Sequence, residues 1–290
     1  MKLSRIIIPL FGLFLVSCGL LPTPTPQPVT VENIRIDSQF LTNTPRKIDI
    51  FLPPGYAASQ ASYKVLYAQD GQDMSAVNLP AALDALYAQD AIEPVIVVAI
   101  YASGERLSEY GTAGIPDYQY RGSRADLYTR MLFEEIMPKV NAEYRTLTGP
   151  ENTVIMGWSL GGLMAFDLAW NHPNVFGKVG VFSGSFWWHT DDTSLQTMLD
   201  SRIAHSMVRR AGKKADLQFW FESGMQDETE DRDNNGVIDA VQDTRELIDA
   251  LKSAGYSDSE IVNVELPQGR HSQSTWGSVL PDFLKWAFPK

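Results

Sequence analysis

The residues best suited to do chemistry stand together at Gly157-Trp158-Ser159-Leu160-Gly161, with Gly162 next. A serine flanked at two residues on each side by glycine is the pattern of a nucleophile on a tight strand-to-helix turn. Such a turn throws the hydroxyl above the sheet, and a Cβ at the flanking positions would collide with neighbouring backbone. Thr153 to Met156 reads as the strand and Leu163 to Trp170 as the helix, so the context fits. The helix start adds unpaired N–H groups and the positive end of a dipole. The chemistry this predicts is attack by Ser159 on a carbonyl carbon through a covalent acyl intermediate.

A serine hydroxyl needs a base. The chain has four histidines. His172 ends a helix, His189 follows Trp187-Trp188, and His205 sits in a polar helical stretch with arginines. His271 follows the last expected strand directly, in Gln268-Gly269-Arg270-His271, and is the expected base. The base needs an acid that fixes its tautomer. The strand before the base strand, Leu217 to Phe221, leads into Glu222-Ser223-Gly224-Met225-Gln226-Asp227-Glu228. Asp227, beyond the glycine turn, is the expected acid, with Glu222 and Glu228 as alternatives. The chain order Ser, Asp, His separates this arrangement from the other triad folds. Two backbone donors must receive the oxyanion. Leu160 N–H is one. The other belongs to the loop Gln69 to Asp73, at Gln72 or alternatively Gly71.

Among the elements that must hold these residues, Val31 to Ile36 and Lys47 to Leu52 alternate apolar and polar residues, as half-buried antiparallel strands do. Val65 to Ala68 and Val95 to Tyr101 are short apolar runs of the buried parallel kind. Strands at Val154 to Met156, Val179 to Phe182, Leu217 to Phe221 and Val262 to Leu266 follow. Helices are expected at Pro80 to Ala91, Ala125 to Tyr144, Leu163 to Trp170, Thr244 to Ala254 and Val279 to Phe288. The expected fold class is α/β: a mostly parallel sheet with antiparallel N-terminal strands and helices on both faces. Active sites in such sheets lie at the carboxyl ends of the strands, where the candidates fall.

Together these pieces resemble the esterase D-like group of α/β-hydrolases, which includes feruloyl and acetylxylan esterases, S-formylglutathione hydrolases, mycolyltransferases and enterochelin esterases. The resemblance rests on Val65 to Gln72, Arg106 to Tyr110, Phe133 to Pro138 with Tyr144-Arg145, the Ser159 turn, Ser183 to Trp188, and Gly269-Arg270-His271. It spans roughly Val31 to Phe288. It implies an α/β-hydrolase fold and carboxylic ester hydrolysis by Ser159, Asp227 and His271. Ser183-Gly184-Ser185-Phe186-Trp187-Trp188 is most similar to the enterochelin esterase branch, and the first loop to the carbohydrate-esterase branch. A small-molecule or glycan ester is the expected substrate, with Trp158, Trp187 and Trp188 as candidate substrate contacts. Acyl transfer on the same triad, and a ligand-binding surface lipoprotein that keeps the fold, are the competing functions.

The chemistry itself needs no cofactor. After the acid loop, Asp231-Arg232-Asp233-Asn234-Asn235-Gly236-Val237-Ile238-Asp239 resembles an EF-hand-type calcium loop, with ligands at Asp231, Asp233, Asn235, Val237 and Asp239. Gln242 stands where the bidentate acid of that motif belongs, so a structural Ca²⁺ is an expectation from an incomplete motif.

The 290 residues suffice for one large domain. A net charge of −11 argues against nucleic acid as a partner. Residues 1–17 read as a secretory signal, with Lys2 and Arg5 before an apolar run. Leu15-Val16-Ser17-Cys18 resembles a bacterial lipobox, which implies lipid on Cys18. Pro and polar residues alternate from Leu21 to Pro28, so 18–28 reads as an extended spacer. The catalytic domain is expected over 29–290, in the bacterial cell envelope, touching membrane only through the lipid.

Overall fold

A computed structural model describes residues 28–42, 45–214 and 216–290. The expected signal segment, Cys18 and all but the last residue of the spacer lie outside them. In chain order come β1 (Thr30–Ile36), β2 (Arg46–Leu52), β3 (Lys64–Ala68), α1 (Leu79–Ala88), β4 (Val95–Ile100), α2 (Arg106–Glu109), α3 (Ala125–Arg130) and α4 (Met137–Glu143). There follow β5 (Thr153–Trp158), α5 (Leu160–Asn171), β6 (Lys178–Phe182), α6 (Leu195–Asp200), α7 (Ile203–Ala211), β7 (Gln218–Gly224), α8 (Asp239–Ser253), β8 (Ile261–Leu266) and α9 (Gln273–Ala287).

The strands form one sheet in the order β1-β2-β4-β3-β5-β6-β7-β8. β1 runs antiparallel to β2, and β2 to β4, whereas the pairs from β4–β3 through β7–β8 are parallel. This is the α/β-hydrolase arrangement, with antiparallel strands confined to the N-terminal edge. Both faces are covered, which explains the continuous apolar runs. In β4 every residue is buried. Ile96, Val98 and Ile100 pack into the cluster shared with α5, α7 and α8. Val95, Val97 and Ala99 pack into the cluster shared with α1 and α9.

Two boundaries differ from the sequence expectation in ways that matter for the site. α9 begins at Gln273, six residues before the expected Val279, because the Ser272 side chain accepts the Thr275 N–H and caps it. α8 likewise begins at Asp239 rather than Thr244. The first turn of α9 is mainly polar and that of α8 is divided between polar and apolar residues, so apolar periodicity misses both. The expected helix over 125–144 is interrupted by a π-helical segment, Met131–Ile136, just before Pro138. Pro138 has no N–H to offer the Glu134 carbonyl, which favours the wider turn.

Candidate active site

Ser159 sits between β5 and α5 at φ 57°, ψ −129°, a backbone region non-glycine residues rarely enter. Its N–H donates to the Phe182 carbonyl at 2.9 Å, and its own carbonyl accepts N–H groups from Gly162, Leu163 and Ser185. These bonds hold a conformation worth about 1–3 kcal/mol of strain. The glycines are needed for space: a Cβ on Gly157 would run into the Gly161 carbonyl, and one on Gly161 would stand 2.5 Å from Asp70 Oδ2. Asp70 and Ser183, at the ends of β3 and β6, also have positive φ, 55° and 47°. Three strand ends on the same side of the sheet, those bearing Asp70, Ser159 and Ser183, thus carry strained residues.

Asp70 is buried and receives Arg106 in a fork, Nε and Nη2 each 2.7 Å from a carboxylate oxygen. Gln72 is clamped by its side chain: Nε2 donates to Asp70 Oδ1 at 3.1 Å, and Oε1 accepts the Ala102 N–H at 3.0 Å. Among the hydrogen bonds of the described residues, neither Gln72 N–H nor Leu160 N–H has an acceptor. Both expected oxyanion donors are therefore free. The near-contact of Gly161 with Asp70 brings their two segments together.

The base and acid loops are stitched by backbone bonds from Met225 to Leu266 and from Gln226 to Gly269, each 2.9 Å. Here Asp227 Oδ2 lies 3.7 Å from His271 Nδ1, with the Asp227 side chain 1% exposed and His271 42% exposed. This is an ion-pair separation slightly longer than a hydrogen bond, as is common before substrate binds. The other two acids of the loop are occupied or sunk elsewhere. Glu228 Oε1 accepts the Ala240 N–H at 2.7 Å, at the start of α8. Glu222 is fully buried on β7. The remaining histidines face other partners: His172 packs on Phe133, His189 stacks on Tyr118, and burial lowers buried His205 to about 3.

Trp276, which sequence reasoning missed, ties His271 to the Ser159 turn. Its ring meets His271 edge-on at 5.3 Å and stacks on Trp158 at 5.5 Å, next to Ser159. Its Nε1 donates to Ser183 Oγ at 2.9 Å. The only signal in the sequence was an aromatic residue shortly after His271, inside a turn not expected to be helical.

The tryptophans expected to meet substrate divide. Trp158 is buried, with Nε1 bonded to Asp73 at 3.0 Å, and Trp188 is buried in the core. Both are scaffold, because the nucleophile turn and the Ser183 loop pack their rings inward. Trp187 remains half-buried, with the Arg121 guanidinium 5.0 Å from its ring centre.

The expected calcium ligands divide: Asp231, Asp233 and Asn235 stand close to one another, and Asp239 faces a cation of the chain itself. Among the described residues no three His, Cys, Asp or Glu side chains converge where a metal could sit. Asp231 accepts the Asn235 and Gly236 N–H groups at 3.0 and 2.9 Å. Asn235 Oδ1 accepts the Val237 N–H, and Asp233 takes Gln242 Nε2 at 3.1 Å. Asp239 turns to Arg232, Nε to Oδ1 at 3.0 Å, and Arg232 also reaches Asp243. Arg232 thus gives the Asp239 end of the loop a cation of its own. Melting curves in millimolar calcium and in chelator are accordingly expected to coincide. A calcium-dependent rise above about 2 °C, roughly 1 kcal/mol in a chain of this size, would favour the metal.

Comparison with known proteins adds to this geometry. Residues 38–287 match the Putative esterase family. The uncharacterized protein YbbA of Bacillus subtilis is 21% identical over 250 residues, 84% of this chain and 93% of that protein. The enterobactin esterase of Shigella flexneri superposes with a TM-score of 0.71 at 20% identity, over 90% of this chain and 60% of that one. A ferulic acid esterase from Anaeromyces mucronatus, solved with ferulic acid, superposes with a TM-score of 0.63 at 19% identity, over 91% and 93% of the two chains. At those identities the structural likeness carries the fold.

Proposed function

The chain belongs to the Putative esterase family and is a carboxylic ester hydrolase, and from that premise we propose that it works through an acyl-enzyme on Ser159. His271 takes the Ser159 proton as the hydroxyl attacks the ester carbonyl. Asp227 holds the opposite ring nitrogen and steadies the imidazolium. The developing oxyanion is received by the Leu160 and Gln72 N–H groups. His271 then passes its proton to the departing alcohol, and water, activated by the same imidazole, releases the acid. The observation that carries this reading is a strained serine with free N–H groups beside it, linked through Trp158 and Trp276 to an exposed imidazole backed by a buried carboxylate.

The relatives' names point to two substrate classes, feruloyl and siderophore-type esters. We favour a carbohydrate-linked or siderophore-type ester, meeting the half-buried Trp187 and its Arg121. Acyl transfer would use the same residues with an acceptor hydroxyl in place of water. A hydrolysis panel of aryl acetates, feruloyl sugars and catecholate trilactones, run on the wild type and Ser159→Ala, tests the reading. Loss of every activity in the variant is the expected result. A panel the wild type leaves untouched would turn the reading toward a ligand-binding protein.

The proposal extends to location. A lipid on Cys18, followed by the proline spacer, would tether the domain to the bacterial envelope. Cys18→Ser expressed in a bacterial host should move the protein from the membrane pellet to the soluble fraction. A variant that stays in the pellet and still takes up labelled palmitate would remove the anchor.

A further inference from the structure

The chain between β6 and α7 walls a cavity of about 480 Å³ that the reaction above does not use. That volume suits a small-molecule site. Its apolar lining comes from Ile203 and Met207 of α7 and from Ile115, on the loop between α2 and α3. Ile115 keeps 42% of its surface in solvent. Its polar lining mixes a hydroxyl, a carboxylate and a guanidinium, from Thr190, Asp200 and Arg210. The walls are fastened before any ligand arrives. Ile203 N–H donates to the Trp188 carbonyl at 2.9 Å, and Thr190 N–H to the Ser201 carbonyl at 3.4 Å. Asp191 N–H donates to Ser201 Oγ at 3.0 Å, and buried Arg202 pairs with Asp243 and Glu246 of α8. The wall is also continuous with the active site. Ser185 N–H donates to the Ser159 carbonyl at 3.2 Å. Thr190 follows five residues later, so even a fully extended chain keeps it within about 18 Å of that bond. On the way, His189 Nδ1 lies 2.7 Å from the Trp187 carbonyl and Nε2 3.2 Å from Asp192. Tyr118 stacks on the His189 ring at 4.6 Å.

We propose that this cavity is a carbohydrate subsite: it takes a neutral sugar unit in the alcohol part of the ester, beyond the sugar that carries the bond Ser159 attacks. The inference rests on the esterase reading above and chooses a glycan ester over a siderophore-type one. A sugar presents apolar C–H faces and a rim of hydroxyls that each donate and accept. Ile203 and Met207 suit the faces. Asp200 accepts from hydroxyls, Arg210 donates to them, and Thr190 does either. An anionic catecholate would meet two carboxylates, Asp191 and Asp200, against one guanidinium. It would also approach a chain of net charge −11. A plain hydrocarbon group would cover the polar lining without bonding it, which is costly. The same lining therefore disfavours the anionic and the apolar occupant and suits the neutral, hydroxyl-rich one.

The measurement is isothermal titration calorimetry with xylotetraose, cellotetraose and maltotetraose, and with 2,3-dihydroxybenzoyl-serine. It is run on the whole chain as wild type, Ser159→Ala, Arg210→Ala and Ser206→Phe. Arg210→Ala removes the guanidinium, and Ser206→Phe fills the space from the same helix. Neither residue is buried, so both variants should fold, and melting temperature checks this. At least one of the neutral oligosaccharides should bind the wild type and Ser159→Ala alike. Its Kd should rise about tenfold or more in Arg210→Ala and Ser206→Phe. An acetyl or feruloyl ester of that oligosaccharide should then show a lower KM than the matching methyl ester, and the two variants should erase most of the difference. A wild type that binds none of the sugars, or binding that both variants leave unchanged, overturns the inference. Catecholate binding that the two variants abolish overturns it as well, and equal KM values or no turnover of the sugar ester remove the cavity from the substrate's path. If Ser159→Ala still hydrolyses esters, the triad reading fails while sugar binding stands. If Ser159→Ala is inactive and no sugar binds, only the subsite is lost.

Discussion

Ser159→Ala is expected to abolish ester hydrolysis while leaving the fold in place. In the proposed mechanism the hydroxyl is the group that forms the acyl-enzyme. The side chain contributes no cap bond to α5, so its loss leaves the helix start as it was. Alanine accepts the same strained backbone at about the same cost, and the bonds holding the turn are all main-chain. Losing a triad nucleophile costs on the order of 10⁴–10⁶ in rate, with a residue of catalysis from the oxyanion donors and binding. The check is kcat/KM on an aryl acetate together with melting temperature and circular dichroism. A folded variant that keeps more than about a tenth of wild-type activity would sink the nucleophile assignment.

The second large effect is expected from Asp227→Asn. An amide cannot accept the His271 Nδ1 proton as a carboxylate does, and its own N–H favours the wrong tautomer. A fall in kcat on the order of 10³–10⁴ follows, with KM little changed. Glu228→Gln should cost far less, because Glu228 serves the start of α8 and stands outside the pair with His271. A larger loss from Glu228→Gln than from Asp227→Asn would move the acid one residue along the loop. The comparison is sharp because the two residues are adjacent and only one has an oxygen near the imidazole.

Much of this protein was readable along the chain. Gly157, Ser159 and Gly161 announce the turn because its constraints are local: a Cβ two residues away either fits or collides. Ile96, Val98 and Ile100 beside Val95, Val97 and Ala99 announce a strand buried on both faces, because two covered faces leave no polar position. The position of His271, just past β8, was legible from order alone, since parallel strands deliver their ends to one edge. The helix starts at Gln273 and Asp239 were not legible. Their first turns are set by a cap and by contacts to other segments, and periodicity carries no trace of either.

What the sequence by itself determined is therefore the set of strand ends and the residues standing on them: Ser159, the loop containing Gln72, three candidate acids and His271. Only the tertiary structure chose among them and arranged their surroundings. It put Asp227 beside His271 because Gly224 leaves a side chain's worth of space there. It sent Glu228 to α8 and buried Glu222 within β7. It turned Trp158 and Trp188 into scaffold, brought in Trp276, and closed the acidic loop on Arg232. These outcomes depend on which distant segments meet, across separations such as Trp276 to Ser183 or Gly161 to Asp70. A turn's geometry is decided within a few residues, whereas the direction a carboxylate faces is decided by whatever packing brings against it.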